Sequence, residues 1–351
     1  MDVTPPAFIY CADPGTANWA LPYLEASPYI ILDCEGMNIG QAGGVLSLVC
    51  VGSAHARDVF VFDVLALRAS ESSGGSADPS SRTDQSSALA RLARVLADPG
   101  VRKVMWDCRN DYLEIKEVLG AAMRGVLDLQ LAEIGARGED GWEGAGRREG
   151  RIAAGGRRVS WRFLRDNRGL FKGVHALKGM EQALRESKIP MQGKDADVVA
   201  MHKADGSAMW LQRPLHPKLL AYAAHDIYML DALYAKFLHD RWITPHTEPA
   251  LLEQSARYAL ALSYQGRVAP EDVFGSCGLL PLDVLREPRG LTVPCAGCRR
   301  IQGLDCFMLQ QMRGQRVRHR SNLCRVCQIK AIIKKVDFTP MLTYVVVNER
   351  H

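Results

Sequence analysis

Five short stretches of this 351-residue chain hold side chains whose types and spacing can do chemistry. In Tyr29-Ile30-Ile31-Leu32-Asp33-Cys34-Glu35 an apolar run ends in two carboxylates two positions apart, and strand geometry sends both to one face. Like charges held that close repel, unless divalent cations sit between them and keep both ionised. Further on, Tyr222 and Asp226 stand four apart in Leu219-Leu220-Ala221-Tyr222-Ala223-Ala224-His225-Asp226, a spacing that a helix turns onto one face. Taken alone, that pair also suits an ordinary amphipathic helix with a packed tyrosine and a solvated aspartate. Between the two lies Lys103-Val104-Met105-Trp106-Asp107-Cys108-Arg109-Asn110-Asp111, with two more carboxylates. Near the C-terminus, Cys295-Ala296-Gly297-Cys298 and Cys324-Arg325-Val326-Cys327 form two CxxC pairs that can close a tetrahedral Zn²⁺ site through four thiolates. Such a site has no open position, so its role is structural. Cys306 is a rival donor that lacks a partner at knuckle spacing, and His319 is a weaker rival.

The elements that must position these groups follow from hydrophobic pattern. Residues 29–35, 45–51 and 59–64 read as three strands joined by short turns, an antiparallel meander. Residues 69–87, rich in Ser, Gly and Asp, read as a disordered loop. Leu89, Leu92, Val95 and Leu96 recur at helical spacing, and Asp98-Pro99-Gly100 stops that helix. A strand over 102–106, a helix from Asn110 to Leu119 ended by Gly120, and a last strand Val126-Leu127-Asp128 complete the order βββαβαβ. That order suits an α/β fold with a mixed sheet flanked by helices. Residues 135–156, dense in Gly and Arg, read as a flexible insertion, with helices expected over 174–186, 217–238 and 249–265.

The three acidic stretches, in this order and spacing, resemble the motifs of the DEDDy 3′-5′ exonucleases, the RNase D-like group, and within it the Egalitarian-like exonuclease domains. Arg213-Pro214-Leu215 before the tyrosine motif adds to the resemblance, which covers about residues 10 to 240. It implies an RNase H-like (DnaQ-like) sheet and a metal-dependent exonuclease releasing 5′-nucleoside monophosphates. Carried over position by position, it makes Asp33, Glu35, Asp111 and Asp226 the ligands of two Mg²⁺ or Mn²⁺ ions. Tyr222 would orient the attacking water, with Glu35 assisting. Asp107 rivals Asp111 as the third carboxylate, but the match of Lys103-Val104-Met105 to the preceding strand favours Asp111, leaving Asp107 to cap the helix. Gly36 would let a terminal sugar approach the backbone, or would merely turn the chain. Trp106 and the Arg-rich insertion of residues 136–170 depart from the family pattern. The alternative function is a non-catalytic nucleic-acid adaptor using the same fold.

Composition sets the frame. A hydrophobic share of 47% can fill a core, and no apolar run of the length needed to cross a bilayer occurs. The opening residues lack a secretory pattern, which with the CxxC pairs suggests an intracellular address, nucleus or cytoplasm. Cys11, Cys34, Cys50, Cys108, Cys277 and Cys306 are expected to be packing residues. The net charge of +5 is uneven: residues 147–178 hold 10 Lys/Arg against 2 Asp/Glu, residues 291–351 hold 11 against 3, and the remainder is acidic. Two basic segments beside a carboxylate-bearing body suit a polyanion such as single-stranded nucleic acid. The expected division is an exonuclease domain over 1–245, a helical linker over 246–290, and a zinc-ribbon-like basic module over 291–351. Arg313, Arg316, Arg318, Arg320, Lys334 and Lys335 would make that module cationic, for nucleic-acid contact or around a protein-docking face.

Overall fold

Short apolar strands alternate with helices along the chain. The computed structural model describes residues 7–73, 87–138, 144–154, 159–191, 195–311, 318–339 and 344–346. In chain order the first elements are β1 (Ile9–Cys11), α1 (Pro14–Glu25), β2 (Tyr29–Met37), β3 (Val45–Gly52), β4 (Val59–Asp63), α2 (Val64–Ser73), α3 (Ala88–Ala97), β5 (Arg102–Met105), α4 (Arg109–Leu119), β6 (Val126–Asp128) and α5 (Leu129–Arg137). Then come α6 (Ala145–Ala154), α7 (Trp161–Asp166), α8 (Arg168–Phe171), α9 (Met180–Glu186), α10 (Ala196–Asp205), α11 (Pro217–His239) and α12 (Glu248–Ala259). The last part holds β7 (Thr292–Pro294), β8 (Ile301–Gly303), β9 (Phe307–Gln311), β10 (Arg318–Cys324), α13 (Arg325–Ile333) and β11 (Tyr344–Val346).

Two compact units form. One joins Met1–Glu133 to Gly179–Leu260, the other Ile134–Lys178 to Ala261–His351. This packing differs from the expected division at 245 and 290, because residues 134–178 bury their apolar side chains with the C-terminal segment and α12 packs with the sheet unit.

The first unit is built on a six-stranded sheet in the order β1-β4-β3-β2-β5-β6. β2, β3 and β4 form the expected antiparallel meander, while β5 and β6 extend it in parallel beyond β2. This is the mixed RNase H-like sheet flanked by helices. Strands β2 to β4 are nearly continuous apolar runs, as befits a sheet covered on both faces. Among the described residues no helix is long and apolar enough to cross a membrane.

Several elements differ from the sequence expectation. β1 pairs in parallel with β4 at the sheet edge, and α1 follows it, capped by Asp13, which accepts from the Thr16 amide at 2.9 Å. The loop expected over 69–87 begins as helix: Asp63 accepts from the Ala66 amide at 2.9 Å and starts α2, which runs to Ser73, while residues 74–86 lie outside the described residues. Within the stretch read as a flexible insertion, α6 forms and seats Ile152 in the second unit's core. The expected helix over 174–186 starts only at Met180, because Leu177 donates to Gly278 O at 3.0 Å and His175 O accepts from Leu280 at 3.0 Å, an extended pairing.

Candidate active site

The carboxylates converge at β2. Asp33 and Glu35 leave the same face of the strand, both half-buried, while Cys34 between them is buried on the other side. Asp226 projects from α11, one helical turn after Tyr222, and both are buried. Ligand oxygens of Asp33, Glu35 and Asp226 lie within 4.8 Å of one another. Asp111 is in the first turn of α4, where an acidic side chain suits the helix N-terminus, and is 8% exposed. Burial pushes its carboxyl well above the usual range, and the charge of Asp33 adds to that push. Crowded, desolvated acids of this kind are held ionised by cations among them, and an all-oxygen donor set suits hard divalent ions. The donor chemistry therefore fits a candidate metal centre.

A β-bulge sets the aim of these groups. Glu35 faces Leu48 and Gly36 faces Leu46, so Ser47 is the extra residue on β3. A Cβ on Gly36 would stand 2.1 Å from Val45 O, so glycine is needed for the close approach of two strands. That backbone crowding is the role the structure gives Gly36, in place of a simple turn. Ser47 Oγ, freed from the ladder, donates to Trp210 O at 2.6 Å and accepts from Arg213 at 2.8 Å. Arg213 in turn binds Asp63 at 2.7 and 2.8 Å, and Tyr10 donates to the same carboxylate. The segment leading into α11 is thereby tied to the sheet, with the Trp210 ring 6.3 Å from that of Tyr222.

Asp107 does not cap α4. Its φ of 54° puts it in a left-handed turn, Cys108 occupies the capping position, and the Asp107 carboxylate pairs with Arg109 at 2.6 Å. The junction is held instead by Asp128, at the end of β6, which accepts from the amides of Asp107 and Cys108 at 3.2 and 2.8 Å. Glu114, fully buried, accepts from Gly40 N at 2.9 Å and fixes the turn between β2 and β3. Sequence reading passed over Ser47, Glu114, Asp128 and Tyr258. Asp128 alone carried a signal, a carboxylate closing an apolar strand.

In the second unit the Sγ atoms of Cys295, Cys298, Cys324 and Cys327 lie within 4.8 Å of one another, all buried. Cys306 is not a member of this group, and the side chain of His319, the other rival, lies outside the described residues. Cys306 is a packed thiol, pushed up to about 12 by burial. The cluster is fed by N–H donors: Cys324 N stands 3.2 Å and Gly297 N 3.4 Å from Cys295 Sγ, and Gln302 Nε2 stands 3.3 Å from Cys298 Sγ. Hydrogen bonds from the Cys298, Cys324 and Cys327 thiols hold Cys295 far below the thiol range. Four thiols gathered this way fit a thiophilic metal, a second candidate centre. The first pair lies at the β7–β8 hairpin, as a ribbon would have it. The second differs from the ribbon expectation, since Cys324 caps α13 and Cys327 sits in its first turn. Of the other cysteines, Cys11, Cys34, Cys50 and Cys108 are buried and Cys277 is half-buried.

Comparison with known proteins adds to this geometry. The family described as 3′-5′ exonuclease matches residues 13–140, the stretch containing Asp33, Glu35 and Asp111. No curated protein matches the sequence. Among solved structures the chain is similar to RNase D of Trypanosoma brucei, with a TM-score of 0.57 at 20% identity, covering 84% of this chain and 83% of that one. The same enzyme in complex with RNA U12 gives a TM-score of 0.55 at 21% identity, covering 79% and 78%. Its GMP complex gives 0.53 at 18% identity, covering 84% and 82%. At these identities the likeness is one of fold, and it covers more of the chain than the matched family segment does.

Proposed function

We infer that this chain, whose first unit is a DEDDy-type 3′-5′ exonuclease domain similar in fold to RNase D, removes 5′-nucleoside monophosphates from the 3′ end of single-stranded nucleic acid. The observation that carries the reading is the convergence of Asp33, Glu35 and Asp226 within 4.8 Å, with Asp111 buried and its carboxyl raised by burial and by the charge of Asp33. In this reading the four carboxylates hold two Mg²⁺ or Mn²⁺ ions, and Cys295, Cys298, Cys324 and Cys327 hold one structural Zn²⁺. Bound divalent cations would supply Lewis-acid polarisation of the attacking water and of the leaving oxygen.

The remaining work belongs to the chain. The Tyr222 hydroxyl orients the water towards phosphorus, and its ring is kept in place by burial and by Trp210. Glu35, half-buried and beside Asp33, assists by accepting a hydrogen bond from that water. The Arg213–Asp63 pair, touching neither water nor substrate in this reading, fixes the approach of α11. RNA is the strand to test first, because the similar trypanosomal structure contains RNA U12. An intracellular setting, nucleus or cytoplasm, would keep the ten cysteines reduced.

The deciding experiment incubates the purified protein with 3′-labelled and 5′-labelled single strands of RNA and DNA, with and without Mn²⁺. Mn²⁺-dependent release of labelled mononucleotide from the 3′-labelled strand, with a shrinking ladder from the 5′-labelled one, is the expected result. Tight binding without any cleavage would replace the enzyme with a nucleic-acid adaptor.

A further inference from the structure

The basic residues of the second unit fall into two sets with different fates. Those around the cysteine cluster are largely used internally among the described residues. Arg300 is buried on Asp283 at 2.6 Å, and Arg320, also buried, donates to Leu304 O. Arg325 reaches the carbonyls of Lys172 and Asp305, each at 2.7 Å. Lys330 reaches those of Phe274 and Gly275 at 2.9 and 2.8 Å, and Lys334 that of Glu271 at 3.3 Å as well as Asp272 O. These cations staple loops, although Arg299, Lys334 and Lys335 are exposed; Arg313 and Arg316 lie outside the described residues.

Helices α6 to α8 behave in the opposite way. Their apolar side chains, Ile152, Leu164, Leu170 and Phe171, enter the core that surrounds the cysteines. That commitment turns Arg147, Arg162, Arg165, Arg168 and Lys172 outward, all of them exposed. Asp166 is the only acidic residue from 159 to 178, and its exposed pairings with Arg162 at 3.7 Å and Arg165 at 3.3 Å are of the weak kind that water competes with. Beside these cations Trp161 is 56% exposed, although it is among the largest apolar side chains in the chain. One edge of its ring lies against Gly150, 3.4 Å from where a Cβ would stand, which props the indole.

Exposed guanidinium groups flanking a propped, exposed indole match the two demands of a single strand, phosphate neutralisation and base stacking. We propose that the outward face of α6 to α8 binds single-stranded nucleic acid, with phosphates on Arg162, Arg165, Arg168 and Lys172 and a base on Trp161. The proposal rests on the reading of nucleic acid as substrate. It assigns strand-holding to the insertion rather than to the cysteine-bearing segment.

The test uses the full chain with Asp33→Ala, so that bound strands survive, and fluorescein-labelled U12 and dT12 as probes in fluorescence anisotropy over a range of KCl. Replacing Arg162, Arg165 and Arg168 together by Gln is expected to weaken binding at least about tenfold and to lower the slope of log K against log salt by about 2, at roughly 0.7 per lost phosphate contact. Trp161→Ala is expected to weaken binding about tenfold with the slope unchanged. Arg168→Gln alone, at an exposed position, guards against misfolding of the triple variant and should lower the slope by about 0.7. Unchanged affinity and slope in all three would overturn the surface and leave it to a protein partner. Hydrolysis of thymidine 5′-(p-nitrophenyl phosphate) by the otherwise wild-type triple variant should equal that of the wild type. Failure of the wild type on that ester and on all strands would sink the exonuclease reading without touching the binding result.

Discussion

The phenol oxygen of Tyr258 stands 3.1 Å from Oδ1 of Asp107, although 150 residues separate them and only the second belongs to the stretch that matches the exonuclease family. The same hydroxyl is 2.7 Å from Gln130 Oε1, and the Arg109 guanidinium lies 4.9 Å over the tyrosine ring while it pairs with Asp107. One turn away, Ser255 Oγ accepts from the amide of Asp128 at 2.9 Å. Helix α12 thus grips the β5–α4 turn that presents Asp111.

Tyr258→Phe keeps the ring and removes the hydroxyl, leaving Gln130 short of a buried partner. It should cost about 1 to 2 kcal/mol of stability. If the grip positions Asp111, the Mn²⁺ concentration for half-maximal turnover should rise several-fold while KM for the strand holds. Calorimetric titration of Mn²⁺ onto the protein without substrate checks the same shift; a stability loss with unaltered Mn²⁺ affinity would make α12 a mere cover.

Asp33→Ala and Asp226→Asn should each lower cleavage by about 10³-fold or more with U12 affinity largely kept, because the cation site goes and the basic helices stay. Tyr222→Phe should lower kcat about a hundredfold at nearly unchanged KM. Single-turnover gel assays decide both, and near-normal turnover in any one of the three would remove that residue from its assigned place.

Burial, helped by the charge of Asp107, pushes the Asp128 carboxyl up to about 6. An acid harder to ionise in the folded chain than in the unfolded one gives stability that is whole below the ordinary carboxylate range and is lost as pH rises through about 6. Relative to Asp128→Asn, the wild type should therefore lose up to about 3 kcal/mol between pH 4 and 7. Urea titrations at stepped pH measure the difference, and parallel curves would contradict the shift.

Elemental analysis should find one zinc per chain. Cys327→Ser or a strong chelator should then loosen more than the knuckles, since Ile152, Leu164, Leu170 and Phe171 share their core with the cysteines. A structural zinc is worth on the order of 10 kcal/mol of folding free energy. Hydrogen exchange should show protection lost together in α6, α7 and α13 while β2 and β3 hold theirs; protection surviving in α6 and α7 would separate them from the metal.

Much of the candidate site was legible because its signals are local. Asp33 and Glu35 declare themselves by the two-residue period of a strand, Tyr222 and Asp226 by helical spacing, and β6 spans Val126–Asp128 as its pattern predicts. The supports were not legible, because they are agreements between distant residues. Nothing near Ser47 foretells a bulge whose hydroxyl meets Arg213, and nothing near Tyr258 foretells Asp107. β1 is too short for periodicity to speak, though Asp13 followed by Pro14 was a helix start in plain view. Helix α6 hid behind its Gly and Arg content, since one buried isoleucine decides it.

Because Ile152, Leu164 and Phe171 lean on side chains contributed from beyond residue 260, the protein cannot be shortened from its end alone. A chain stopped there would leave a greasy, arginine-studded flap with nothing to rest on, a recipe for clumping. A minimal fragment carrying the six-stranded sheet calls for two excisions made together, and any drift in one stretch must be answered by the other.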